Sequence, residues 1–308
     1  VDIQIQHATV SGESPRIRVT IANGRKEALS GQLEVLASGP LQIIDRKREI
    51  DALQPGQSEE LFFDVRPAGE PTDRRINLRV RISTGEKVYE SSASLNFHTA
   101  ARVEAPPKID ANPEKWGPLV QVADRKDQIS MTSDTKPWGG PKDLSAHADF
   151  RWDDKNLYVI FHVHDDTDMP PLAERGMWQR DIIELLVDVD RGLSAGSPLT
   201  MFSLSRFPDG PRLLRHDGTL PQGPVPGGLI AVKKVDEGVV YEAAIPWEEI
   251  QKGYAPKAGA AITLAWGVDD HDGGNSGRQA ISWFSNVNEK NPAKFGDVIL
   301  VGASGKTP

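Results

Sequence analysis

The chain has 308 residues, 38% of them hydrophobic and 26% charged, with a formal net charge of -8 and no cysteine. That describes an ordinary globular protein of two-domain length. It excludes disulfides, thiolate metal sites and cysteine nucleophiles, and its acidity argues against a nucleic-acid partner, which needs clustered Lys and Arg. No apolar run approaches the roughly 18 residues of a membrane-spanning helix, and no membrane partner is expected.

The first hundred residues alternate apolar and polar side chains in short runs, the period of half-buried strands. Ile3-Gln4-Ile5, Ile17-Arg18-Val19-Thr20-Ile21, Leu33-Glu34-Val35-Leu36, Leu61-Phe62-Phe63-Asp64-Val65 and Ile76-Asn77-Leu78-Arg79-Val80-Arg81-Ile82 follow in order. Asn23-Gly24, Ser38-Gly39-Pro40, Pro55-Gly56 and Thr84-Gly85 supply turns between them. About seven short strands at this spacing predict an immunoglobulin-like (Ig-like) β-sandwich over residues 1–100. This half has no Trp and no polar constellation of note, so a spacer role is expected. Residues 101–107, ending in Pro106-Pro107, read as a stiffened linker.

All seven Trp lie beyond that point. Strand-like runs recur at 146–152, 157–163, 181–188, 201–205, 229–235, 239–245, 262–269, 279–283 and 297–301. A single helical turn is expected at Pro246-Trp247-Glu248-Glu249-Ile250, opened by the proline. The fold class is therefore all-β, with a second, larger antiparallel sandwich over 108–303. Trp116, Trp152, Trp247, Trp266 and Trp283 fall inside strand-like or patterned stretches and are expected in its core. Glu184 interrupts an apolar strand, Asp181-Ile182-Ile183-Glu184-Leu185-Leu186-Val187-Asp188. A carboxylate there must either face a polar binding surface or hold an Arg from a neighbouring strand.

Up to Ala105 there are 14 basic and 15 acidic residues, and beyond it 22 and 29. The second half's acids gather in runs such as Asp165-Asp166-Thr167-Asp168 and Asp269-Asp270-His271-Asp272. Such runs suit calcium or sugar hydroxyls, or are simply solvated loops. Catalytic patterns are missing: there is no nucleophile elbow, phosphate loop or His-Glu-x-x-His. Glu248-Glu249 looks like the acidic first turn of a short helix rather than an acid–base pair. The chain is not expected to be an enzyme.

Four stretches, taken together and in order, resemble the family 9 carbohydrate-binding modules and their relatives. They are Pro107-Lys108-Ile109-Asp110 with Trp116; Phe150-Arg151-Trp152-Asp153-Asp154-Lys155-Asn156-Leu157-Tyr158-Val159 running to His164-Asp165; Trp178-Gln179-Arg180-Asp181-Ile182-Ile183-Glu184-Leu185; and Tyr241-Glu242-Ala243-Ala244-Ile245-Pro246-Trp247 with Lys294-Phe295-Gly296. The first half resembles bacterial Ig-like spacers. Together these likenesses imply a bacterial protein that is secreted, periplasmic or on the cell surface. They also imply a non-catalytic module that binds a polysaccharide or oligosaccharide and is joined covalently to other domains of a larger glycan-degrading protein. The opening Val1-Asp2-Ile3 reads as the start of a mature or excised piece.

The resemblance implies that Trp178 is an aromatic plate for a sugar ring, with Asp181 and Glu184 beside it. It departs from this chain at the second plate, because residues 284–292 contain no Trp. Phe284 or Trp138 is the candidate substitute, and Ser203 and Ser205 stand where the family often has larger polar groups. Structural calcium is implied too, with Asp165, Asp166 and Asp168 as one candidate ligand group and Asp188 with Asp190 as another. Two other outcomes are open. One is a structural or docking sandwich that has lost sugar binding. The other is a haem-binding relative, for which His162, His164 and Met169 are the candidate ligands.

Overall fold

The computed structural model describes residues 1–7, 16–38, 41–67, 75–132, 137–189, 199–273, 278–283, 287, 290–292 and 295–302. Alternation in the first half produces eight strands. They are β1 (Asp2–His7), β2 (Arg16–Ala22), β3 (Leu29–Ala37), β4 (Leu41–Ile43), β5 (Lys47–Leu53), β6 (Ser58–Pro67), β7 (Arg75–Ser83) and β8 (Val88–Arg102). One sheet runs β1-β2-β6-β4 and the other β5-β3-β7-β8. In β2 every second residue is buried, so Ile17, Val19 and Ile21 face inward. There they meet Leu33, Val35, Phe63, Val65, Leu78, Val80 and Ile82 from both sheets. A side-chain period of two thus becomes one apolar layer between two sheets.

The second half begins with β9 (Gln121–Ala123), β10 (Ile129–Met131), β11 (Leu144–Trp152), β12 (Asn156–Asp165), β13 (Ile182–Asp188), β14 (Thr200–Phe207) and β15 (Gly210–Asp217). It continues through β16 (Gly223–Pro224), β17 (Leu229–Val235), β18 (Gly238–Pro246), the single turn α1 (Trp247–Ile250), β19 (Ala261–His271), β20 (Arg278–Ser282) and β21 (Gly296–Val301). One face of the sandwich is β9-β11-β12-β18-β17 and the other β15-β14-β13-β19-β20. Their inner faces share a core built on Phe150, Trp152, Phe161, Phe202, Trp266 and Trp283. The fold is all-β, as the sequence patterns predict, and all five Trp expected in the interior are buried. In the β17–β18 turn, Gly238 has φ +129°, and a Cβ there would stand 1.9 Å from the Val163 carbonyl oxygen. Only glycine fits that close approach.

The two halves share β8. Its first part pairs with β7, and residues 97–101 then pair in parallel with β21. Ala101 and Arg102, expected in a linker, lie in the strand and pair with Arg151 and Trp152 of β11. Ala100 joins the second core, while Ala261, Ile299 and Val301 pack into the first. The strand continues here because β21 and β11 offer it unpaired backbone.

The opening Ile109-Asp110…Trp116 stretch also has a structural explanation. Glu242 on β18 is fully buried and accepts the backbone N–H of Asp110 (2.8 Å) and Ala111 (2.7 Å) and the indole N–H of Trp116 (2.9 Å). These bonds hold the incoming segment over an outer cluster of Tyr158, Ile160 and Val240.

Candidate functional site

In β13, Ile183, Leu185 and Val187 belong to the sandwich core, so Ile182, Glu184 and Leu186 point to the opposite face. Glu184 lies between Ser203 of β14 and Gly267 of β19. Ahead of β13, Gly176 (φ +78°) opens a short 3-10 turn, Met177–Gln179. Met177 is buried against Ile182, Phe207 and Leu214, which anchors the turn and leaves its neighbour Trp178 outward, 49% exposed. The Arg278 guanidinium of β20 stands 4.9 Å from the centre of the Trp178 ring, a cation–π contact. Arg278 also donates to Asp269 Oδ1 at 3.0 Å.

Glu184 therefore meets neither expectation fully: the nearby Arg278 bonds Asp269 instead. Glu184 is 6% exposed and its Oε2 has no hydrogen-bond partner among the described residues, as is true of Asp269 Oδ2 and Arg278 Nε. Burial raises both carboxyls above the usual carboxylate range, Asp269 adding to the effect on Glu184 while Arg278 opposes it. Ser203 Oγ lies 2.7 Å from His216 Nε2, and burial lowers the pKa of that imidazole. Ser205 is wholly buried and its Oγ has no partner among the described residues. The result is a half-exposed indole against Arg278, on a sheet whose outer face carries Glu184, Asp269 and Ser205, each with a polar atom that has no hydrogen-bond partner among the described residues. Arg278, Asp269 and His216 were not singled out from sequence; only the acidic run containing Asp269 was visible there.

Other expected residues lie elsewhere. Trp138 is half-buried against the core and donates its indole N–H to the Leu144 carbonyl of β11, on the other sheet, at 2.8 Å. Phe284 and Asp190 lie outside the described residues. Asp181 turns away from that outer face: its carboxylate accepts the backbone N–H of Met169 and of His271. It joins an acidic group with Asp165 and Asp270, their ligand oxygens within 4.8 Å of one another. Asp166 sits in a second such group with Asp143 and Asp272. Asp168 belongs to neither. Ion pairs to Arg206 and Lys234 neutralise it and hold its pKa low against the effect of burial. Asp188 is at the far end of β13, opposite Thr263, whereas Ile182 faces Asp269.

The Asp165–Asp181–Asp270 group fits a hard cation. Its donors are carboxylates alone, and among the described residues none of the three has an ion pair. Asp270 is 1% exposed; its Oδ2 accepts Gln279 Nε2 at 2.7 Å while its Oδ1 has no partner. Burial, with Asp165 adding, pushes its carboxyl up to about 9.

Haem fits poorly. The His162 and His164 ring centres are 4.4 Å apart on the outer face of β12. The cavity of about 450 Å³ beside His147 and His164 is walled by Asp124, Asp165, Asp236 and Glu237, unsuited to an apolar macrocycle bearing acidic propionates.

Endo-1,4-beta-xylanase A of Thermotoga neapolitana is 25% identical over 173 residues, covering 52% of this chain and 14% of that protein. The chain thus spans about a seventh of the xylanase. A family 9 carbohydrate-binding module of Caldicellulosiruptor kristjanssonii, solved with cellotriose, is 19% identical with a TM-score of 0.49 over 68% of this chain and 95% of that one. A putative carbohydrate-binding protein of Bacteroides uniformis is 12% identical with a TM-score of 0.44 over 67% and 99%. The carbohydrate family 9 binding domain-like family matches residues 116–303, more than half of the chain, and the chain belongs to that family.

Proposed function

We propose that residues 108–303 bind a polysaccharide or oligosaccharide, without cutting it, on the outer face of the β15-β14-β13-β19-β20 sheet. The carrying observation is the half-exposed Trp178 against Arg278, whose charge also acts on Glu184, a buried carboxylate whose Oε2 has no partner among the described residues. An indole face packs against the C–H face of a pyranose, and open carboxylate oxygens accept from its hydroxyls. The xylanase relative makes β-1,4-linked chains the first to try.

Titration calorimetry of the whole chain against xylotriose, cellotriose and a wider set of neutral glycans tests this. Trp178→Ala is expected to weaken binding by about tenfold or more, since burying an aromatic face contributes roughly 1.5–3 kcal/mol and 1.4 kcal/mol is tenfold. Silence across the whole set, or an unchanged affinity in the variant, would overturn the reading.

In the same reading residues 1–100 are an Ig-like spacer, which their two facing sheets support. The protein works outside the bacterial cytoplasm and is covalently joined to other domains of a glycan-degrading protein. Calcium is its structural cation, held by Asp165, Asp181 and Asp270, where it would supply the positive charge these buried carboxylates lack.

A further inference from the structure

The loop that carries Trp178 is clamped at both ends by the acidic group. Asp165 ends β12, Asp181 immediately precedes β13, and between them run residues 166–180 with Trp178 three positions before the second clamp. The third member, Asp270, adjoins Asp269 on β19, and Asp269 holds the Arg278 that lies over Trp178. Asp181 additionally holds the Met169 N–H inside the loop and the His271 N–H at the end of β19.

Three carboxyl groups converge here on one small volume, and Asp270 Oδ1, on a side chain 1% exposed, has no partner among the described residues. Gln279 also lies at this point: its Nε2 contacts Asp143, Asp270 and Asp272, while its own Oε1 is buried without a partner. The three carboxyl groups join both loop ends to β19, and a divalent cation seated among their oxygens would tie these elements together.

We infer that cation binding at Asp165, Asp181 and Asp270 and glycan binding at Trp178 are positively coupled, the cation fixing the loop that presents the indole. This rests on the glycan and calcium readings above. The coupling needs no contact between the ligands, because one loop and one strand belong to both sites. Linkage makes it reciprocal: whatever factor calcium adds to glycan affinity, the glycan adds to calcium affinity.

The test is a calorimetric square on the whole chain: cellotriose with and without calcium chloride, and calcium with and without cellotriose, starting from protein stripped with EDTA. Stripping is expected to weaken cellotriose binding about fivefold or more, and added calcium to restore it. Asp270→Asn, nearly equal in shape, is expected to weaken calcium binding and to hold cellotriose affinity at the stripped value, insensitive to further chelator. Melting curves of variant and parent without calcium establish that the variant folds.

Calcium binding with cellotriose affinity unchanged would overturn the coupling. Failure of calcium to bind or to raise the melting temperature would overturn the cation site itself. Calcium binding accompanied by silence from cellotriose and every other neutral glycan would overturn the glycan reading, and the coupling with it.

Discussion

A piece comprising only residues 106–303 is expected to melt about 10 °C or more below the whole chain, or to aggregate. The family match begins at residue 116, which invites a cut between the halves. Such a cut removes β8. Residues 97–101 of that strand pair with all but the first residue of β21, and His98 packs against Trp283 with ring centres 4.3 Å apart and planes tilted by 58°. Ala100 leaves the core and Arg102 leaves the face of Trp152. Ala261, Ile299 and Val301 lose the apolar layer they pack into, and β21 becomes a bare edge open to intermolecular pairing. A loss of about 5 kcal/mol is in keeping with so much buried surface, and at roughly 2–4 °C per kcal/mol it produces the stated shift. Differential scanning calorimetry decides the matter: a piece melting within about 3 °C of the parent would show that β8 contributes little.

The second large effect concerns Glu242→Ala. The carboxylate is completely buried yet has three donors around it, two backbone N–H groups and the Trp116 indole N–H. Truncation strands these donors, each at about 1–3 kcal/mol when buried. The expected loss is therefore about 3 kcal/mol or more, a large share of the roughly 5–15 kcal/mol that stabilises a domain. Glu242→Gln keeps one acceptor oxygen but turns an amide NH₂ toward donors, so it falls between. Denaturant titration reads both variants, and an alanine variant within about 1 kcal/mol of the parent would refute this account. Glycan affinity per folded molecule is expected to change little, since Glu242 is on β18 and Trp178 precedes β13 on the opposite sheet.

Much of the fold was legible because its signals are local. The run at 229–235 matches β17 residue for residue, and apolar pairs around Glu184 mark a strand buried on both faces. The strand Gly210–Asp217 went unread because Pro211 and the adjacent pair Leu213-Leu214 hide its alternation. The extension of β8 past Ala100 went unread for another reason: Ala100, Ala101 and Arg102 carry little pattern, and their strand state is imposed by β21 and β11. At the site, Trp178 and Glu184 announced themselves within one motif. Arg278, one hundred residues after Trp178, did not, because only the β19–β20 pairing brings it there. Asp181 was assigned to the sugar for its place in that motif. Its side chain follows the backbone N–H groups of Met169 and His271 instead, a choice that only the packed loop reveals.

The shared strand also has a mechanical meaning. When the first lobe is pulled away from a second lobe held at the glycan face, the load runs along β8. Its backbone hydrogen bonds to β7 and β21 lie across that axis, so they are loaded in shear and resist together. Because Val88–Arg102 is one unbroken strand, a pull between the lobes would pass along a continuous backbone.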